Sequence, residues 1–131
     1  MFDRVFSFNK EVVGIGDRQL KAFSESEKQW MVGVLQEEAT ELAESDNLVD
    51  QVDALIDSIV FAVGGLSRLG LTSVEAHRCF AAVMAANFEK KAGAKAGRVV
   101  EGVADAIKPT GWVGPEERIR SILARGPYEQ D

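Results

Sequence analysis

Three features of the 131-residue sequence predict an all-α fold. Two capping-box signatures precede long runs of helical periodicity. Those runs end at helix-stop or turn signals, and no stretch sustains the apolar–polar alternation of a strand. Residues 2 to about 13 space Phe2, Val5, Phe6 and Val12 in a loosely helical way before Gly14 and Gly16 break the pattern. Ser24 and Glu27, in SESE, form the first capping box and open a helix to roughly Ser45. A short acidic turn, ESDN, leads to a third helix from about Leu48 to Leu69, and Gly70 suits the position just past its end. Thr72 and Glu75, in TSVE, repeat the capping box and start a helix to about Lys91. Residues 92–104, AGAKAGRVVEGVA, read as a Gly- and Ala-rich loop, and DAIKPTGWVGP holds the turn signals of the tail. Pro115 suits the first position of a short last helix, with Glu116 and Glu117 complementing its dipole. The expectation is a four- to five-helix bundle forming one domain over residues 1–131, its core at about 24–113.

Composition narrows the function. At 46% hydrophobic and 27% charged residues the chain is ordinary globular protein, and disorder is excluded. A formal net charge of −6 argues against nonspecific binding to nucleic acid or to an acidic membrane. One cysteine, Cys79, allows no intrachain disulfide, and with one histidine, His77, soft ligands are too few for an intrachain zinc site. Cys79 reads as packing and His77 as a residue without a chemical role. The N-terminus MFDRVFSFNK is too charged for a signal-peptide core, and no apolar run approaches a membrane span. The expected location is the cytoplasm, and the expected metal, if one binds, is hard and oxygen-ligated.

The stretch QEEATELAES, residues 36–45, concentrates acids without a nearby base: Lys28 is the nearest upstream and Arg68 the nearest downstream. Like charges one turn apart repel by a few tenths of a kcal/mol (about 0.2–0.5), so such a run needs a reason. Advancing about 100° per residue from Met31 puts Val34, Leu35 and Leu42 on one apolar stripe. Glu38 falls inside that stripe, Glu41 on its edge and Glu37 further round. A carboxylate facing a core must be paired, protonated or bound to a metal.

The third helix repeats the anomaly. Its main apolar stripe is Leu48, Val52, Leu55, Ile59, Val63 and Leu66. Another side carries Asp50, Asp53 and Asp57 and continues into Val60, Phe61, Gly64 and Gly65, small residues that permit close approach of another helix or chain. Antiparallel packing across ESDN would bring Glu38 and Glu41 towards Asp53 and Asp57. Four carboxylates in one place call for a divalent cation, and oxygen-only ligands select Mg²⁺, Mn²⁺ or Ca²⁺. The alternative is a solvated acidic face. A helix apolar on more than one side, in a chain with so few helices, also predicts a homo-oligomer, dimer or tetramer.

These motifs resemble the all-α NTP pyrophosphohydrolase superfamily, which includes MazG-like proteins, dimeric dUTPases and phosphoribosyl-ATP pyrophosphohydrolases. Its hallmark is EExxE on one helix and an acidic pair ending in Asp on the next: here Glu37, Glu38 and Glu41 in EEATE, then Asp57 in VDALIDSIVF. The similarity continues into NFEK, with Asn87 and Lys90 matching an Asn-x-x-Lys element, and DAIKPTGW, around Lys108, Pro109 and Trp112. Together these span roughly residues 27–113. One departure is plain: the usual second motif is Glu-x-x-Asp, but Ala54 stands three residues before Asp57, leaving Asp53 as the substitute.

The resemblance implies Mg²⁺-dependent hydrolysis, with Mn²⁺ a possible substitute, of a (deoxy)nucleoside triphosphate to monophosphate and pyrophosphate. It also implies sites completed between subunits. It makes Glu37, Glu38, Glu41 and Asp57 the catalytic group and Glu38, Glu41, Asp53 and Asp57 the metal ligands, with Glu37 a further ligand or a group orienting water. Phosphate charge needs cations, and Lys90, Lys91, Lys95, Arg98 and Lys108 cluster in an otherwise acidic chain. Asn87 falls in the apolar stripe of Phe80 and Met84, as a satisfied core amide or a substrate contact. Trp30, Phe8 and Trp112 are open to stacking a base or to core packing. Rival expectations are phosphoribosyl-ATP hydrolysis, a helical module binding a basic partner, and a metal-stabilised bundle without turnover.

Overall fold

In the computed structural model, residues 1–93 and 104–125 are described. Among them are five α-helices: α1 (Phe2–Phe8), α2 (Glu25–Glu44), α3 (Leu48–Arg68), α4 (Ser73–Phe88) and α5 (Glu116–Leu123). One π-helical turn, Asn9–Val13, extends α1. The expected helical class therefore holds, with one addition. Lys91–Gly93 (β1) pairs antiparallel with Asp105–Ile107 (β2), in the register Lys91↔Ile107, Ala92↔Ala106 and Gly93↔Asp105. This corrects the loop reading of residues 92–104 at Ala92 and Gly93 and the turn reading of DAIKPTGWVGP at its first three residues; residues 94–103 lie outside the described residues, and α4 stops at Phe88, three residues before the expected Lys91. Strands of three residues are too short to leave an alternation pattern. The chain divides into two compact units, Met1–Ala76 and His77–Asp131.

The first unit is built by local signals and by close approach. Ser24 caps α2 through the expected box, its Oγ accepting from the Glu27 amide at 3.3 Å while Glu27 Oε1 accepts from the Ser24 amide at 3.4 Å. Asn47 caps α3, its Oδ1 accepting from the Asp50 amide at 2.9 Å. Thr72 and Glu75 form the second box, at 2.9 and 3.1 Å. Gly70 closes α3 with φ +91°, a left-handed conformation that favours glycine.

Helices α2 and α3 pack antiparallel: Glu38 lies beside Asp57, Met31 against Gly65, and Trp30 beneath Arg68. The intrachain face of α3 is its small-residue side. Ala54, Val63, Gly64 and Gly65 are buried, whereas Leu48, Val52, Leu55 and Ile59 are 41–75% exposed. The stripe with the largest apolar residues is thus not the core of this chain over most of its length. Glycines at 64 and 65 explain the choice. A Cβ at 65 would stand 3.1 Å from the Met31 sulfur, so the backbones approach where side chains are smallest.

In the second unit, Cys79, Ala82 and Ala86 of α4 are buried, as packing was expected to require of Cys79. Trp112 Nε1 donates to the Ala86 carbonyl at 2.8 Å, anchoring the KPTGW turn to the end of α4. Pro115 is the cap before α5, one position earlier than expected, and Ile122 is the buried residue of that helix. No single helix is long and apolar enough to cross a membrane.

Candidate metal centre

Glu38 occupies the core-facing position that its place in the α2 stripe requires, at 7% exposure. Its neighbours across the α2–α3 pairing are acids. Glu38, Glu41 and Asp57 each offer a carboxylate oxygen, all within 4.8 Å of one another. Glu38 Oε2 is fully buried and has no hydrogen-bond partner among the described residues. Burial pushes the Glu38 carboxyl above its ordinary range, followed by a hydrogen bond with Glu41 and by the charges of Glu41, Asp57 and Asp53.

A buried polar atom without a partner is rare in folded proteins. The donor set fits a hard divalent ion: three carboxylates from two helices, no sulfur or imidazole, and one oxygen held out of water with nothing to bond. Mg²⁺ and Mn²⁺ both suit it.

Of the four expected ligands, three come together and Asp53 does not. Asp53 is exposed, and it influences Glu38 through charge from outside the triad. Ala54, three residues before Asp57, is buried at 2% exposure and offers no ligand atom from its side chain. Glu37 is exposed on the adjoining face of α2, in a shallow depression with Gly33, Gln36, Thr40 and Glu41. Glu41 therefore joins the triad to the surface that holds Glu37.

A cavity of about 420 Å³ opens from Glu38 and Asp57 along α3. Its wall follows Asp57, Val60, Phe61, Gly64 and Arg68, spaced i, i+3, i+4, i+7 and i+11 on one helical face, and Trp30, Phe8 and Asn9 close the other side. This is the side of α3 whose glycines implied close approach. Trp30 is among the lining residues, and Arg68 covers one face of its ring, the guanidinium carbon 4.2 Å from the centroid.

Two lining residues were not anticipated as functional. Asn9, at 6% exposure, continues the spacing Phe2, Val5, Phe6 by one more turn, so the anomaly that marked Glu38 was present in the first helix too. Arg68 ends α3 on the same face as Asp57, a signal visible only once that face is known to line a cavity.

The cationic residues lie in the second unit. Lys90 and Lys108 both place their ammonium groups 5.0 Å from the centre of the Trp112 ring. Trp112 is thus half-buried beneath two lysines, and its N–H is taken by Ala86. Asn87 is half-buried near the end of α4, and its backbone carbonyl accepts from the Lys90 amide at 3.0 Å. Lys91 is exposed on β1. Lys95 and Arg98 lie outside the described residues.

The raised Glu38 carboxyl makes a pH dependence with a definite sign. Between pH 4.5 and the higher folded-state value, the folded metal-free protein keeps a proton that the unfolded chain has released, so stability falls as pH rises through that window. Glu38→Gln should remove this slope. Thermal melts in a chelator from about pH 4 to about pH 8 test it, and parallel curves for parent and variant would contradict it. Comparison of the chain with protein-family models, curated proteins and solved structures finds no match.

Proposed function

We propose that this chain is a Mg²⁺-dependent nucleoside triphosphate pyrophosphohydrolase, cleaving the α–β phosphoanhydride bond to give a monophosphate and pyrophosphate. The observation that carries the reading is the triad of Glu38, Glu41 and Asp57 with its unpartnered buried oxygen, at one end of a cavity walled by aromatic residues. The choice of bond rests on the resemblance of EEATE, VDALID, NFEK and KPTGW to the MazG-like branch.

Glu38, Glu41 and Asp57 would hold the ion. When bound, the ion supplies Lewis-acid polarisation of the phosphoryl group and activation of water for attack. Without it, the same carboxylates repel a triphosphate, so they act as a gate that admits the substrate only with its counter-charge. Glu37, one turn before Glu41 on the exposed face, orients a water or adds a ligand. The resemblance makes Lys90 and Lys108 charge-assisted donors to phosphate oxygens; within their own unit both ammonium groups lie 5.0 Å from the Trp112 ring centre. The reading is tested by pyrophosphate release across a panel of NTPs, dNTPs and phosphoribosyl-ATP. Release that requires Mg²⁺ and stops in a chelator is expected. Metal-dependent stabilisation without release from any substrate would leave only a structural metal bundle.

The exposed stripe of α3 supports self-association as part of the same reading. Leu48, Val52, Leu55 and Ile59 repeat at i, i+4, i+7 and i+11, the seam spacing of paired helices, with Val49 and Ile56 beside them. A second copy burying this seam would give an isologous dimer. Leu55→Lys should shift a dimer or tetramer to monomer at micromolar concentration in sedimentation analysis. A parent that is already monomeric and fully active would contradict it.

A further inference from the structure

We propose that Asn9, with Arg68, reads the nucleobase, making the far end of the cavity the specificity pocket; this deepens the nucleotide reading and rests on it. Asn9 Nδ2 donates to the Gly64 carbonyl at 3.2 Å, and because a carbonyl accepts only from a donor, the amide cannot be turned the other way. A Cβ at position 64 would stand 3.2 Å from that nitrogen, so glycine there is what lets the amide seat. Oδ1 is then left as an acceptor with no bond from the described residues, on a side chain that is 6% exposed and lines the cavity.

An acceptor at this place selects the ligand. A phosphate oxygen would be repelled by it, so the group that meets Oδ1 must be a donor, such as the ring N–H or exocyclic amine of a base. Arg68 supplies the complement. Its guanidinium lies over Trp30 and makes no ion pair with a carboxylate among the described residues, so its in-plane N–H groups are available to a ring carbonyl or ring nitrogen. Between these two groups the walls are apolar, with Phe61 and Trp30 suited to a flat heterocycle. Position agrees with this. Gly64 is seven residues beyond Asp57, or about 10 Å along the helix axis, which places Asn9 one sugar-and-base length from the carboxylates. Asn9 also begins the π-helical turn, a distortion that recurs at functional sites.

The test compares kcat/KM for the four dNTPs with that for a base-free deoxyribose triphosphate, in the parent, Asn9→Leu and Arg68→Met. The parent should prefer at least one dNTP over the base-free compound by about 100-fold, and each variant should cut that preference about tenfold or more. Arg68→Met keeps an apolar stem over Trp30 and decides the matter if Asn9→Leu does not fold. A parent that treats the base-free compound as well as every dNTP overturns the inference and leaves pyrophosphate hydrolysis standing. So does an unchanged preference in the variants, because a purely structural role lowers both activities together. If no nucleotide yields pyrophosphate, the functional reading fails, and this inference with it.

Discussion

Asp57→Asn and Glu38→Gln should each lower pyrophosphate release by about 100-fold or more while leaving the metal-free protein as stable as the parent, or more so. The two halves of this result come from one cause. Without an ion, Glu38, Glu41 and Asp57 crowd their oxygens within 4.8 Å, and Oε2 of Glu38 is buried without a partner. Neutralising either residue relieves like-charge repulsion in the unliganded state. With an ion, the same substitution removes a ligand. An ion at a hundred times its Kd adds about 2.7 kcal/mol to the state that binds it, and most of that gain should vanish in Asp57→Asn. Ordinary surface acids would give the reverse: changes within about 0.5 kcal/mol and activity intact. Melting curves with and without Mg²⁺ or Mn²⁺, run beside the assay, separate the two.

Gly70→Ala should cost about 3 kcal/mol or more, whereas Gly14→Ala should cost about 1 kcal/mol, although both glycines hold positive φ. The left-handed conformation penalises both, at φ +91° and +80°. Only Gly70 faces backbone. A Cβ there would overlap the Gln19 carbonyl oxygen and stand 2.7 Å from the Leu20 nitrogen, where nothing flexible can give way. At Gly14 nothing lies within 4 Å. The close approach at Gly70 fastens the 14–24 segment to the end of α3, reinforced by the Lys21 amide donating to the Leu69 carbonyl at 3.0 Å. That segment carries Arg18, which bonds Glu27 at 2.7 Å and reaches the Arg68 carbonyl at 3.5 Å. Denaturant unfolding of the two variants measures the difference; equal losses would show that the backbone contact is unimportant.

What could be read from sequence was what local rules govern. Both capping boxes join residues three apart, and the glycine stop at α3 closes within five, so the pattern and the structure coincide. Glu38 was legible because helical periodicity alone places it on the core side. The face of α3 that packs within the chain was harder. Apolar bulk pointed to Leu48, Val52, Leu55 and Ile59, but backbone proximity favours the smallest residues, and Ala54, Gly64 and Gly65 won. Asp53 shares a face with Asp57, yet it stays exposed and outside the triad. Asn9 owes its seat to Gly64, 55 residues away, and no local pattern encodes that meeting. Arg68 depends in the same way on Trp30 across the helix pair.

The most direct measurement is a Mn²⁺ titration followed by the free-ion magnetic resonance signal, on the parent and on Asp57→Asn. Saturable binding to the parent is expected, with the affinity falling by about tenfold or more when Asp57 is neutralised. Equal binding by both proteins, or none by the parent at millimolar ion, would show that Glu38, Glu41 and Asp57 do not form a metal centre.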